Sequence, residues 1–141
     1  MTGLYLLSDE IYDKIVFDAE GGGGGSGAPS ILQTDHDERT TLCVSGVAKS
    51  YSMTGFRVGW LHAHESVAAI AAKMQEPYLS CGVPFAQAAA EAAVRGPQDV
   101  VSTMASAYKQ RRDAALEIVT EHGLYEYTPD GAFYLLVSTG V

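Results

Sequence analysis

The sequence has 141 residues, 47% of them apolar and 18% charged, and a formal net charge of −8. This is globular composition at the length of one ordinary domain, and no apolar run approaches the roughly twenty residues that a bilayer-spanning helix requires. Nine Lys plus Arg, thinly spread, exclude a nucleic-acid surface, which needs clustered cations to displace counterions; a small anion held by one or two cations stays within reach.

The opening "MTGLYLLSDE" has no basic segment ahead of a long apolar one, so no secretory leader is expected and the cytoplasm is the expected address. Within it "GLYLLS" predicts a short buried strand that ends at Asp9. Strand exits are where α/β sheets place their ligands. "EGGGGGSGAPS", Glu20 to Ser30, is too rich in glycine to order cheaply and is expected to be a mobile surface loop. It lacks the lysine-serine ending of a P-loop.

Thr41 to Val47, "TLCVSGV", predicts a second strand, and Arg57 to Ala63, "RVGWLHA", a third. Packed helices are predicted from Glu65 to Met74, from Pro84 to about Gly96, and from about Gln98 to His122, the last stopped by Gly123. Arg111 and Arg112 are expected on its solvated face beside Asp113. Two strand-like stretches follow, separated by a turn at Pro129, Asp130 and Gly131. Cys43 and Cys81 have no metal-ligand spacing and are expected to be small buried hydrophobes; no metal site is expected.

Between the second and third strands lies "VSGVAKSYSMTGFRVGW", Val44 to Trp60. Lys49 has no acid within its own loop and stands among Gly46, Val47 and Ala48. Burial of such a lysine lowers its pKa and exposes the nucleophilic free amine. Arg57, close to Gly55 and Gly59, keeps its charge whatever its burial, and its planar fork suits a phosphate.

This segment resembles the cofactor-lysine segment of the class I/II, fold-type I pyridoxal-phosphate-dependent aminotransferases: lysine, a small or aromatic stretch, Thr-Gly, an aromatic, Arg, an aliphatic, Gly. "LLSDEIYDKIVFD" resembles the same family's strand ending in Asp-Glu-x-Tyr, and "RRDAALEIVTEHG" with "PDGAFYLLV" resembles its interdomain helix and the start of its small domain. The resemblance implies that Lys49 is the catalytic residue, forming the internal aldimine with pyridoxal 5'-phosphate and shuttling a proton. It implies that Asp9 faces the pyridine nitrogen, Tyr12 donates to the phenolic oxygen and Arg57 holds the phosphate. The implied reaction moves an amino group from an amino acid to a 2-oxo acid.

By the same resemblance the fold is α/β, a partial pyridoxal-phosphate transferase fold. Residues 1–97 would be the later part of the cofactor-binding large domain, 98–122 the interdomain helix and 123–141 an incomplete small domain. The family's homodimers imply a dimer. Ala48 and Gly46 stand where many relatives carry a serine for the phosphate, and that hydroxyl contact stays unassigned. The family's N-terminal phosphate turn, ring-stacking aromatic, asparagine and C-terminal carboxylate-binding arginine have no counterparts, so a piece truncated at both ends is expected. Two other functions remain open: a carbon-sulfur lyase of the same fold, and a non-catalytic remnant or aminotransferase-like ligand-sensing domain.

Overall fold

Strand β2 (Thr41–Gly46) is the middle of a three-stranded sheet. The structure, a computed structural model, describes residues 4–17, 27–34 and 39–140. Strand β1 (Leu6–Asp9) pairs with β2 in parallel, with Asp9 opposite Val44, and β3 (Gly59–Ala63) pairs with it antiparallel, with Gly46 opposite Gly59. The directions have a simple consequence: β1 and β2 leave the sheet at the edge where β3 enters it. Thr41 and Cys43 point to one face of β2 and are buried, as the two-residue period of a strand dictates.

The described residues fall into two compact units. The first comprises Met1–Asp13 and Pro29–Pro97, the second Lys14–Ala28 and Gln98–Val141. In the first unit, α1 (Glu65–Leu79) follows β3 directly and touches it. Its N-terminus is capped by His64, whose Nδ1 accepts from the Ser66 amide at 3.3 Å. The helix runs beyond the predicted Met74 and through Pro77, because its last turn is closed by the Ser80 amide donating to Glu76 O at 2.8 Å. Helix α2 (Pro84–Arg95) opens on its proline and ends at Gly96, as predicted. No helix among the described residues is long and apolar enough to cross a membrane.

Two expectations about burial fail in this unit. β1 is not a buried strand: Leu4, Leu6 and Leu7 are exposed, because β1 is the outer strand of the sheet and only β2 flanks it among the described residues. Nor is α1 a packed helix. It has no buried residue, and Ile70, Met74 and Tyr78 face outward; α2 buries only Ala86 and Ala90. Cys43 is buried as expected, whereas Cys81, in the short link between α1 and α2, is exposed. The glycine tract falls mostly at residues 20–26, outside the described residues.

The second unit is organised by α3 (Asp99–Glu121). Gly123 stops it with φ +68°, and the amides of Gly123 and Leu124 donate back to Thr120 O and Val119 O. The two predicted strands beyond it do not form. Pro129, which has no amide to donate, and Ala132, at φ +59°, interrupt any extended run. What remains is two isolated antiparallel bridges, Tyr125 with Val137 and Val16 with Gly131.

Arg112 also departs from expectation, since its side chain is only 8% exposed. The guanidinium stands 4.9 Å from the centre of the Phe17 ring, donates to Pro129 O at 2.8 Å and pairs with Asp113 at 2.7 Å. Its three-and-four spacing on α3 did not reveal this, because the partners arrive from distant segments. Arg111, the exposed neighbour, lies over Tyr108.

Candidate active site at the strand exits

The sheet's direction brings the sequence-predicted residues to one edge. Asp9 is the last residue of β1 and exposed; its Oδ1 accepts from the Ile11 amide at 3.1 Å and so turns the chain toward Tyr12. The Glu10 amide donates to Val44 O at 2.8 Å, which fixes this turn to β2.

The Lys49 turn leaves β2 through a tightly packed corner. Val47 is 0% and Ser50 1% exposed, and the Ser52 amide closes the turn on Lys49 O at 3.1 Å. Lys49 itself is half-buried, with Nζ 5.6 Å from the centre of the Tyr12 ring, within the range where an ammonium is attracted by an aromatic face. A bare, small-residue setting is therefore what surrounds the lysine backbone, while its ammonium meets the aromatic two segments away.

The chain then returns through a 3-10 turn, Thr54–Phe56, to Arg57. Arg57 is exposed and left-handed at φ +56°, ψ +44°, and its Nη1 donates to Thr54 O at 2.9 Å. The Lys49 and Arg57 turns meet where the Val47 amide donates to Val58 O at 3.3 Å. Gly46 permits this approach, since a Cβ there would stand 2.7 Å from Val58 O and 2.9 Å from Gly59 Cα. A serine at this position would press its Cβ against that backbone.

Polar residues that sequence reasoning passed over hold this edge together. Glu10 Oε1 accepts from the Ser8 hydroxyl at 3.0 Å and from the Ile31 amide at 2.9 Å. Burial pushes its carboxyl up, but hydrogen bonds from Ser30, the Ile31 amide, Ser8 and Cys43 outweigh that and hold it below the usual value. Ser45 Oγ donates to Glu10 O at 3.2 Å, so this hydroxyl is committed to the β1 exit. Buried Ser50 donates to Asp13 Oδ1 at 3.0 Å.

These acids leave a mark on their neighbours. The Cys43 thiol is pushed up to about 11 by burial, by its hydrogen bond to Glu10 and by the negative charges of Glu10, Asp13 and Asp9. Burial, then the Asp13 charge, raises the Tyr51 phenol. The only hint in the sequence was the spacing of acids in "SDEIYD", whose partners across the sheet could not be read from one strand.

Comparison with known proteins gives this edge a context. Residues 1–140 match the family described as aminotransferase class I and II. The chain is 33% identical over 136 residues to a probable aspartate/prephenate aminotransferase of Aquifex aeolicus, covering 94% of this chain and 33% of that protein. It is 35% identical over 131 residues to the aspartate aminotransferase of Thermotoga maritima, covering 93% and 32%. The crystal structure of a Thermotoga maritima aspartate aminotransferase superposes with a TM-score of 0.85 at 32% identity, over 99% of this chain and 34% of that one. That of an aromatic aminotransferase from Pyrococcus horikoshii gives 0.81 at 30% identity, over 92% and 33%. The chain thus spans about a third of the length of the relatives it matches, and it belongs to the class I and II aminotransferase family.

Proposed function

We propose that this chain is the lysine-bearing part of an aminotransferase that moves an amino group from an amino acid to a 2-oxo acid. The family is pyridoxal-phosphate dependent, and the observation that carries the reading is the meeting of the Asp9, Lys49 and Arg57 segments at one sheet edge. The donor set suits that cofactor group by group: an amine for the aldehyde, a carboxylate for the ring nitrogen, a phenol for the ring oxygen and a guanidinium for the phosphate. Bound there, pyridoxal phosphate supplies an electron sink for the carbanion formed at the substrate α-carbon.

In this reading Lys49 would be the amine that holds the cofactor through its aldehyde, and its Nζ would take the proton from the substrate α-carbon and return it. Asp9 keeps the ring nitrogen protonated. Arg57 would hold the phosphate and Tyr12 would donate a hydrogen bond to the phenolic oxygen. The reading assigns residues 1–97 to the cofactor-binding domain, 98–122 to the interdomain helix and 123–141 to the small domain, with Lys14–Ala28 packing in the second compact unit. Exposed Leu4, Leu7, Ile70 and Tyr78 support a working unit in which further polypeptide covers β1 and α1, and a cytoplasmic homodimer is part of the proposal. Relatives named for aspartate, aromatic amino acids and N-acetyl-LL-diaminopimelate match at comparable identity, so the substrate is proposed only as a class.

Equilibrium dialysis of the chain against pyridoxal phosphate, followed by addition of amino acids with and without a 2-oxo acid, tests this. Saturable binding lost in Lys49→Ala, and product exceeding one equivalent per bound cofactor only when the 2-oxo acid is present, are expected. Absence of saturable binding, or many turnovers of product without an acceptor, contradicts it.

A further inference from the structure

Ser50, immediately after Lys49, is 1% exposed, and its hydroxyl donates to a charged group on a different segment, Asp13, whose Oδ1 accepts at 3.0 Å. Asp13 ends the turn that begins with Asp9 and carries Tyr12, and its own amide donates to Glu10 O at 3.0 Å. The Ser50–Asp13 bond therefore ties the backbone of the lysine turn to the backbone of the Asp9–Tyr12 turn, at the point where Lys49 Nζ stands 5.6 Å from the Tyr12 ring. The Val47 amide ties this corner to Val58 O on the β3 side, and the Ser52 amide closes the turn on Lys49 O.

We propose that Ser50 and Asp13 are positioning residues: their hydrogen bond sets where the Lys49 amine stands relative to Tyr12 and Asp9, and so how readily it condenses with the cofactor aldehyde. The inference rests on the reading of Lys49 as the cofactor lysine. Condensation forms one carbon–nitrogen double bond and releases one water, and borohydride then reduces that bond to a stable secondary amine. A donor that is buried and an acceptor that is charged make a directional, charge-assisted bond. Removing either partner frees the turn to sample other positions, which lowers the fraction of time the amine is correctly placed.

The test uses the whole chain incubated with pyridoxal phosphate and quenched with borohydride at intervals. Peptide mapping gives the ratio of adduct on Lys49 to adduct on Lys73, an exposed lysine of α1 that serves as internal reference. Ser50→Ala and Asp13→Ala are expected to lower that ratio about tenfold. Asp13→Asn, whose amide oxygen still accepts from the Ser50 hydroxyl, is expected to keep it within about threefold of the wild type. Ser50→Cys, which keeps the volume and a weaker donor, is made alongside so that a variant with an intact circular dichroism spectrum is in hand. Loss of stability alone lowers the melting temperature and leaves this ratio unchanged well below it. An unchanged ratio in Ser50→Ala overturns the proposal and leaves the reading of Lys49 standing. A fall in Asp13→Asn as deep as in Asp13→Ala also overturns it, since charge and not the bond would then be responsible. A wild type with no preference for Lys49 overturns both.

Discussion

Gly46 and Val58 set the distance between the lysine turn and the arginine turn: a single added Cβ at Gly46 would stand 2.7 Å from the Val58 carbonyl oxygen. Backbone, and not a flexible side chain, is the obstacle, so the strands must part to make room. Gly46→Ala is expected to destabilise the first unit by about 2 kcal/mol, measured by urea denaturation. Gly55→Ala, with open space around it, serves as the control and is expected to change stability by less than about 0.5 kcal/mol.

Arg57 is expected to read the phosphate and nothing else of the cofactor. Binding of pyridoxal phosphate should weaken about ten- to a hundredfold in Arg57→Ala, while binding of unphosphorylated pyridoxal should not change. Arg95→Ala, which removes a surface arginine paired with Glu91, should leave both affinities alone. Calorimetric titration of the two ligands against the three proteins gives the comparison.

The Glu10 carboxyl sits below its ordinary value in the folded chain. Its stabilisation is therefore complete above the unfolded value of 4.5 and is lost as pH falls through the lower, folded value. Asp113, lowered chiefly by its hydrogen bond with Arg112, acts in the same direction. Glu10→Gln, which still accepts from the Ile31 amide, is expected to cost about 1 kcal/mol at neutral pH and to flatten the acid side of the stability profile. Melting temperatures between pH 3 and pH 7, a range of about four units around the carboxylate values, check both statements.

The two thiols should behave differently. Cys43 is buried and its thiol is pushed up to about 11, whereas Cys81 is exposed; the thiolate is the reactive form. Iodoacetamide at neutral pH is expected to label Cys81 promptly and Cys43 only after urea is added, as counted by mass spectrometry. Because the Cys43 value is raised, its stabilisation is present below the unfolded value of 9.0 and lost as pH rises toward 11.

In the second unit, Ala132 holds a left-handed conformation at φ +59°, and its amide donates to Ile15 O at 2.8 Å. Glycine takes this conformation without the Cβ penalty. Ala132→Gly is expected to stabilise the unit by about 0.5–1 kcal/mol, read as a shift in urea midpoint at constant slope.

The sequence carried the elements whose signals are local. Pro84 and Gly96 bound α2, Gly123 stops α3, and "TLCVSGV" yields β2 nearly to its limits. The placement of Asp9, Lys49 and Arg57 at one edge follows from the strand directions, which are set by pairing between segments far apart in the chain. Features set by distant partners were not legible. Arg112 looks like a solvated helix residue until Phe17 and Pro129 arrive beside it, and the roles of Glu10, Asp13 and Ser50 exist only across the sheet. The same holds for "PDGAFY": its first three residues announce a turn, but the left-handed residue is Ala132, while Gly131 is demanded because an added Cβ would run into Ile15 O.

The central claim, that Lys49 is the amine that takes the cofactor, is tested most directly by locating the borohydride-reduced pyridoxal phosphate adduct on the intact chain by peptide mapping. The account predicts that the adduct forms on Lys49 and disappears in Lys49→Ala. Adducts spread over Lys14, Lys73 and Lys109 with no excess on Lys49 would contradict it.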